Sequence, residues 1–512
     1  MDLMVNRTPA DTTDEVQEVG ALNEVDLQDI KTKSVSGAAS YFARTIFLNL
    51  IGIVASLVLS WYLTEEEFGI FGYVVQFIGI LTFFSDIGLA ASLIQKKTTP
   101  TLTDYRTTFT IQQILSWFIF IITIIISNSN LVNGNAVWVL LALGISFPLA
   151  SIKTISAIKL ERKLDFSKLV IPQIIEQLAF NSILIFMAIN GYGILSYAYA
   201  IFARSVIGAI VMFIIKPWPI GFEINWKSLK SLINFGGKFQ INDLLARIKD
   251  SLFQIILFRF MSPTDYGYLS WSKNWSMYPY NLTVNNVMAI IFPTFSRLQN
   301  NKQALSKAIE KALFFVTFAI FPLITGMSIF IIPLTHVVSG YTKWQPAILS
   351  FVLFSMSIGW SAISTPLTNT LNAIGKIDTT LRLMVMWTVL TWVLTPICLY
   401  FFGFNGVALA GFIISFTSFL PVIYVKKILP INFFEQIWRQ LIAMIIMGVI
   451  GLIGMPWWKL NLKYMLAGII LTGSSYILTF ILIGRHKLAG ELNSIIKNKS
   501  LVGKLEKLLW IK

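Results

Sequence analysis

The chain has 512 residues, 55% of them hydrophobic and 13% charged, with a mean hydropathy of +0.71 and a formal net charge of +15. So few charges cannot coat a soluble protein of this size. Two histidines and the single Cys398 exclude an intramolecular disulfide and a cysteine metal cluster. The basic excess fits residues that orient a membrane protein better than a nucleic-acid footprint.

Residues 1–40 precede any long apolar run and carry Asp11, Asp14, Glu15, Glu18, Glu24, Asp26 and Asp29. They lack the basic start and early apolar core of a cleaved signal and read as a disordered acidic cytoplasmic tail. From Tyr41 onward, apolar stretches recur that are each long enough to cross roughly 30 Å of hydrocarbon. They predict fourteen transmembrane helices, near 41–62, 68–94, 107–127, 136–157, 170–190, 193–215, 233–260, 266–294, 309–335, 346–372, 380–402, 405–425, 437–457 and 462–483. The fold class is an all-α polytopic membrane protein; the short alternating segments of a membrane β-barrel are missing.

Connections alternate in character. Those such as 63–67, 128–135 and 261–265 are nearly free of Lys and Arg, whereas the opposite set carries Lys96, Lys97 and Arg106, then Lys159, Arg162, Lys163 and Lys168, then Lys216, Lys227 and Lys230. The positive-inside rule puts the basic set and both termini in the cytoplasm. The 159–168 loop also offers lipid head groups a basic site. In 484–512, Leu488, Leu492, Ile495, Val502, Leu505 and Leu509 share a face with lysines around it, which predicts a helix on the inner membrane surface or one docked to the protein.

The chain also echoes itself. Thr64-Glu65-Glu66-Glu67-Phe68-Gly69 is matched 198 residues on by Ser262-Pro263-Thr264-Asp265-Tyr266-Gly267, and Gly191-Tyr192-Gly193 by Gly403-Phe404-Asn405-Gly406. Both echoes fall at equivalent places in consecutive blocks of six spans. The expected organisation is a six-helix lobe at 41–215, a basic linker at 216–232, a second lobe at 233–430 and two further helices at 431–483. An even number of spans gives the lobes parallel orientation about an axis along the membrane normal, with a substrate site between them.

Charges inside the spans are the candidate site, because a buried charge normally faces a wet cavity or a partner. Arg44, Arg204, Arg247, Lys249 and Lys273 are the candidate anion-binding bases; Asp86, Glu176, Asp243 and Asp250 are candidate ion-coupling or charge-pair acids. Asp243, Arg247 and Asp250 share one helical face and can neutralise one another. Arg44 and Asp86 form a possible pair, and Glu176 is a possible partner of Arg204. Bases outnumber acids in the spans, and guanidinium forks suit phosphate. Asn274, Asn281, Asn285 and Asn286 suit sugar hydroxyls or interhelical packing. Trp271, Trp275, Trp344 and Trp360 suit sugar faces or simple packing. No catalytic constellation, metal site or P-loop is visible.

The stretch Trp61–Gly69, the run Phe84-Ser85-Asp86-Ile87-Gly88-Leu89-Ala90-Ala91-Ser92-Leu93-Ile94-Gln95, the connection 159–166 and Leu371-Asn372-Ala373-Ile374-Gly375-Lys376 resemble bacterial polysaccharide flippases. These form the oligosaccharide-exporting branch of the multidrug/oligosaccharidyl-lipid/polysaccharide superfamily. The resemblance implies two six-helix lobes, a V-shaped central cavity and alternating access in the bacterial inner membrane. It implies a polyprenyl-diphosphate-linked oligosaccharide as substrate, membrane lipids and polysaccharide polymerase or chain-length machinery as partners, and a monomer that is a transporter and not an enzyme. It also gives Arg44 the place of a cavity arginine in the first span. No cofactor is expected beyond coupling to H+ or Na+. The alternatives are a cation-coupled drug exporter of the same superfamily, a membrane glycan polymerase or ligase, and a lipid-binding scaffold.

Overall fold

The computed structural model describes residues 27–493, apart from 233–250 and the single positions 87, 97, 130, 131, 133, 164 and 231. Every regular element among the described residues is helical. The helices are α1 (Leu27–Tyr62), α2 (Glu65–Phe84), α3 (Leu89–Gln95), α4 (Leu102–Ser127), α5 (Ala136–Arg162), α6 (Phe166–Ile189) and α7 (Leu195–Ile215). After these come α8 (Phe253–Phe258), α9 (Pro263–Leu282), α10 (Val284–Leu298), α11 (Lys302–Val337), α12 (Ile348–Ala373) and α13 (Ile377–Phe402). The last are α14 (Phe404–Ser415), α15 (Leu420–Lys426), α16 (Phe433–Ile453), α17 (Met455–Trp458) and α18 (Leu462–Asn493).

Eleven segments among the described residues are long and apolar enough to cross a membrane, and they fall on eleven of the expected spans. The chain is a polytopic membrane protein. Spans two and eight correspond to α2 and α9, which fall outside that group because one opens on Glu65, Glu66 and Glu67 and the other carries Lys273 and several amides. Most of span seven lies outside the described residues. Large apolar side chains cover the exterior, as lipid contact requires.

Two spans differ from expectation because an apolar run hides a break. The run 68–94 divides at Gly88, whose φ of 75° is the left-handed region that suits glycine, so that α3 begins as a separate helix. The run 266–294 divides at Thr283 between α9 and α10. Pro279 lies inside α9, and the Thr283 hydroxyl donates to the Pro279 carbonyl at 2.6 Å.

The terminal expectations also change. Helix α1 starts at Leu27, so residues 27–40 of the expected disordered tail are helical; residues 1–26 lie outside the described part. Helix α18 continues the last span to Asn493. Leu488 and Ala489 on it are buried in a cluster with Phe314, Met447 and Tyr476, so this part of the tail is docked and does not lie flat on the membrane. Residues 494–512 lie outside the described part.

The segment that follows α7 is pinned to α4 and α5. Ser156 Oγ donates to the Lys216 carbonyl at 2.7 Å. The Glu223 and Asn225 amides donate to Thr110 Oγ1 and Thr107 Oγ1 on α4 at 2.9 and 3.1 Å. Trp218 is buried edge-on to Phe109, and Leu229 and Leu232 join the same cluster as Leu89 and Leu93 of α3. Nearby, Arg162 Nη1 donates to the carbonyls of Leu93, Ile94 and Lys96 at 2.7–3.0 Å, capping the end of α3. Arg162, expected to set topology or to meet lipid head groups, also closes a helix end.

Candidate substrate cavity and its charged approach

The echoed motifs build matching helix starts. Thr64 Oγ1 accepts from the Glu67 amide at 3.2 Å and Glu67 Oε2 from the Thr64 amide at 2.8 Å, a capping box at the start of α2. Ser262 Oγ accepts from the Asp265 amide at 3.0 Å at the start of α9, where Pro263 occupies the first turn. The two helices then cross at their glycines. A Cβ on Gly69 would overlap the Pro263 carbonyl, and one on Gly267 the Glu65 carbonyl.

Below this crossing lies a cavity of about 430 Å³, within the usual range of roughly 300–1,000 Å³ for ligand sites. Phe68, Phe71, Gly72, Val75 and Gln76 of α2 line one wall; Tyr266, Leu269, Ser270, Lys273 and Asn274 of α9 line the adjoining one. Each residue of the first set has its counterpart 198 positions on in the second. The spacing of three and four residues puts each set on one helical face. Val75 stands at the place that Lys273 occupies on α9, so this charge belongs to one of the two walls.

Helix α6 supplies a third wall through Gln177, Phe180, Asn181 and Leu184, and α1 a fourth through Gly52, Ala55, Ser56 and Leu59. Tyr197 of α7 stacks on Phe71 at 3.5 Å between ring centroids, and Gln254 of α8 accepts from the Tyr266 hydroxyl at 3.4 Å. Asn181 is buried, and its Nδ2 donor has no hydrogen-bond partner among the described residues. Such a donor costs about 1–3 kcal/mol unless something accepts from it.

Beside the start of α2, the C-terminal end of α1 is covered by a roof of groups from α9 and from the 3-10 segment Ser339–Ala347. Tyr341 donates to the Leu57 carbonyl at 2.6 Å and Trp344 Nε1 to the Ser60 carbonyl at 2.7 Å, while Trp271 Nε1 reaches Ser60 Oγ at 2.9 Å. Lys343 Nζ donates to the carbonyls of Trp61 and Leu63. Trp271 and Trp344 stack at 4.9 Å and are fully buried, so they pack the roof and are not a platform for sugar.

Away from the roof, charged residues gather around one turn of α6. Arg44 of α1 donates to Gln173 Oε1. Glu176 is buried and accepts from Lys153 Nζ at 2.6 Å, with Arg204 Nε at 3.8 Å. The Arg204 guanidinium also lies 5.7 Å over the ring of Phe180, which lines the cavity. Arg204 is seven residues from Tyr197 and shares its face of α7. Among the described residues, two bases, Lys153 and Arg204, meet one buried acid here.

The structure thus brings Arg44, Glu176 and Arg204 together and sets Lys273 in the cavity wall. The expected pairing of Glu176 with Arg204 is present. Asp86 is placed elsewhere and does not pair with Arg44: it accepts from the Ala90 amide at 3.1 Å and from Gln112, capping the start of α3. Asp243, Arg247, Lys249 and Asp250 lie outside the described residues. Asn274 and Asn281 line the cavity, whereas Asn286 bonds to the Asn281 and Leu282 carbonyls and staples the α9–α10 break. No three His, Cys, Asp or Glu side chains among the described residues are placed to hold a metal ion.

Sequence reasoning missed the amides Gln76, Gln177, Asn181 and Gln254. On α6 a signal was present: Gln173, Gln177 and Asn181 recur every four residues on the helix that also carries Glu176.

Comparison with known proteins agrees with this architecture. The profile of the family described as polysaccharide biosynthesis protein matches residues 58–349. The chain belongs to this family. Among similar members, an uncharacterized membrane protein in the cps region of Klebsiella pneumoniae is 21% identical over 491 residues, 91% of this chain and 98% of its own. The lipopolysaccharide biosynthesis protein WzxC of Escherichia coli strain K12 is 21% identical over 370 residues, 70% of this chain and 74% of its own. The succinoglycan biosynthesis transport protein ExoT of Rhizobium meliloti strain 1021 is 19% identical over 308 residues, 59% and 61% respectively. The fold is that of the lipid II flippase MurJ in its inward closed conformation, with a TM-score of 0.70, 15% identity, and coverage of 88% of this chain and 99% of that one. An inward-facing multidrug resistance transporter of the MOP superfamily gives 0.57 at 14% identity, covering 75% of this chain and 95% of its own.

Proposed function

We propose that this family member is a flippase that carries a polyprenyl-diphosphate-linked oligosaccharide across the bacterial inner membrane by alternating access. The observation that carries this reading is the roofed cavity, with sugar-compatible amides and aromatic faces around Lys273 and a positive approach at Arg44 and Arg204. Phosphate is recognised by the bases through charge-assisted hydrogen bonds. The glycan meets Gln76, Gln177, Asn181 and Asn274, and the polyprenyl chain stays in lipid. Kinship with a protein named for succinoglycan transport and the shared fold of a lipid II flippase support the reading.

In this reading both termini and the basic ends at Arg162, Lys168 and Lys216 are cytoplasmic, and the roof is external. A proton or sodium gradient drives the cycle without a bound cofactor, with Glu176, next in sequence to the cavity residue Gln177, as the candidate coupling carboxylate. The protein works as a monomer and passes its cargo to a polymerase with chain-length machinery.

The test is transfer of a short-chain polyprenyl diphosphate disaccharide between leaflets of proteoliposomes. Transfer by the native chain, and its loss in a K273A/R204A variant at equal reconstitution, is the expected result. No transfer by the native chain under either ion gradient, together with export of organic cations, would replace this reading by a drug exporter. Maleimide labelling from outside the cell at position 163 on a Cys398→Ser background would reverse the orientation.

A further inference from the structure

The strap from Pro217 to Trp226 alternates in a way that the docking described above does not use. The backbone amides of Glu223 and Asn225 turn inward onto Thr110 and Thr107 of α4. The strap's even positions from Ile220 onward point outward and are all large and apolar. Ile220 is 44% exposed, Phe222 75%, Ile224 45% and Trp226 76%, although Phe222 also leans on Phe109 at 5.6 Å between rings. A contiguous row of this kind in water is unfavourable and normally marks a covered surface.

What covers it follows from its place and charge. The strap leaves α7 directly at Ile215, the end of a membrane-crossing segment whose Ile210 and Ile214 face outward. It therefore runs at the level where hydrocarbon gives way to head groups, the depth that aromatic side chains favour. Lys216, Lys227 and Lys230 flank the row, with Glu223 as the acid within it. Anionic head groups attract basic residues at this depth.

We propose that the strap is an interfacial anchor: Ile220, Phe222, Ile224 and Trp226 insert into the head-group region of the bilayer, and the flanking lysines select anionic lipid. The site is distinct from the central cavity and stands whether or not the substrate reading holds. Because the strap forms most of the chain between the two lobes, it ties the lobe connection to the membrane surface.

The experiment uses the full chain with Cys398→Ser and a single environment-sensitive fluorophore at F222C or W226C, in nanodiscs of phosphatidylcholine with added phosphatidylglycerol. Nitroxide attached near the lipid head group should quench both labels, more strongly when carried on phosphatidylglycerol than on phosphatidylcholine at equal fraction. K227Q and K230Q should each reduce that preference by about five-fold. Quenching by an aqueous reagent and not by lipid nitroxide would overturn the proposal. Protection from both quenchers would also overturn it, by showing that protein covers the row. Equal quenching by the two lipids, or a preference untouched by the lysine variants, would remove the anionic selectivity.

Discussion

Gly69 and Gly267 stand against each other where α2 and α9 cross, each leaving room for a carbonyl from the other helix's first turn, Pro263 for one and Glu65 for the other. The reciprocity is what a two-fold relation between the helices produces: equivalent residues meet equivalent residues. Three positions further along, Gly72 repeats the pattern, because a Cβ there would lie 3.3 Å from Cβ of its own counterpart Ser270.

That proximity predicts a lock. G72C with S270C, on a Cys398→Ser background, should form a disulfide, since the Cβ separation is close to the roughly 3.5–4.5 Å that the bond needs. Oxidised protein should stop transporting, and reductant should restore it. Undiminished transport by fully cross-linked protein would mean that α2 and α9 stay together throughout the cycle.

G267A should lower stability by about 1–3 kcal/mol, the usual cost of forcing a group into a packed contact. Thermal unfolding in detergent reads this directly. An unchanged midpoint would show that the crossing loosens cheaply.

Lys343 should act as a latch. It binds two carbonyls at the C-terminal end of α1, and hydrogen bonds involving a charge contribute about 1.5–3 kcal/mol. K343Q should therefore raise the labelling rate of a cysteine placed at Leu59, under the roof, by reagent added from outside. An unaltered rate would give the closure to the buried tryptophans alone.

In the cavity, K273A should weaken binding of a soluble diphosphate sugar by about ten- to a hundred-fold, as expected for one charge-assisted hydrogen bond. K273R should retain most of the binding. Equal binding by K273A would place the anion at the α6 approach instead.

Glu176 separates structure from recognition. E176Q leaves the part-exposed Lys153 and Arg204 without their buried partner and should reduce protein accumulation, a defect of about 1 kcal/mol once solvent screening of the two bases is allowed for. Adding R204Q should recover accumulation. Recovered transport in the double variant would make Arg204 a structural ion-pair member; recovered protein without transport would keep it in substrate binding.

Much of this was legible in sequence. The 198-residue echo was readable because Thr64 and Ser262 share helix-start chemistry, and Gly69 and Gly267 share a packing demand. Glu176 and Arg204 stood out as charges in apolar runs. The breaks at Gly88 and Thr283 did not, since hydrophobicity runs through them unbroken and the bend is made by backbone conformation. Asp86 was misread for a related reason: a carboxylate in an apolar run suggests a charged partner, yet here backbone amides and Gln112 fill that role. The amides of α6 were passed over because they carry no charge, although in hydrocarbon an amide side chain also needs a reason to be there.

The substitution of lysine for valine between the two matched walls gives the protein a handedness that its architecture lacks. Two near-copies facing each other would hold a guest with no preference for either side. With Lys273 on one wall and Val75 at the matching place on the other, an anionic group at this level meets a base from the second half of the chain and carbon from the first. In the proposed cycle, identical rocking motions of the two halves would then act unequally on the cargo.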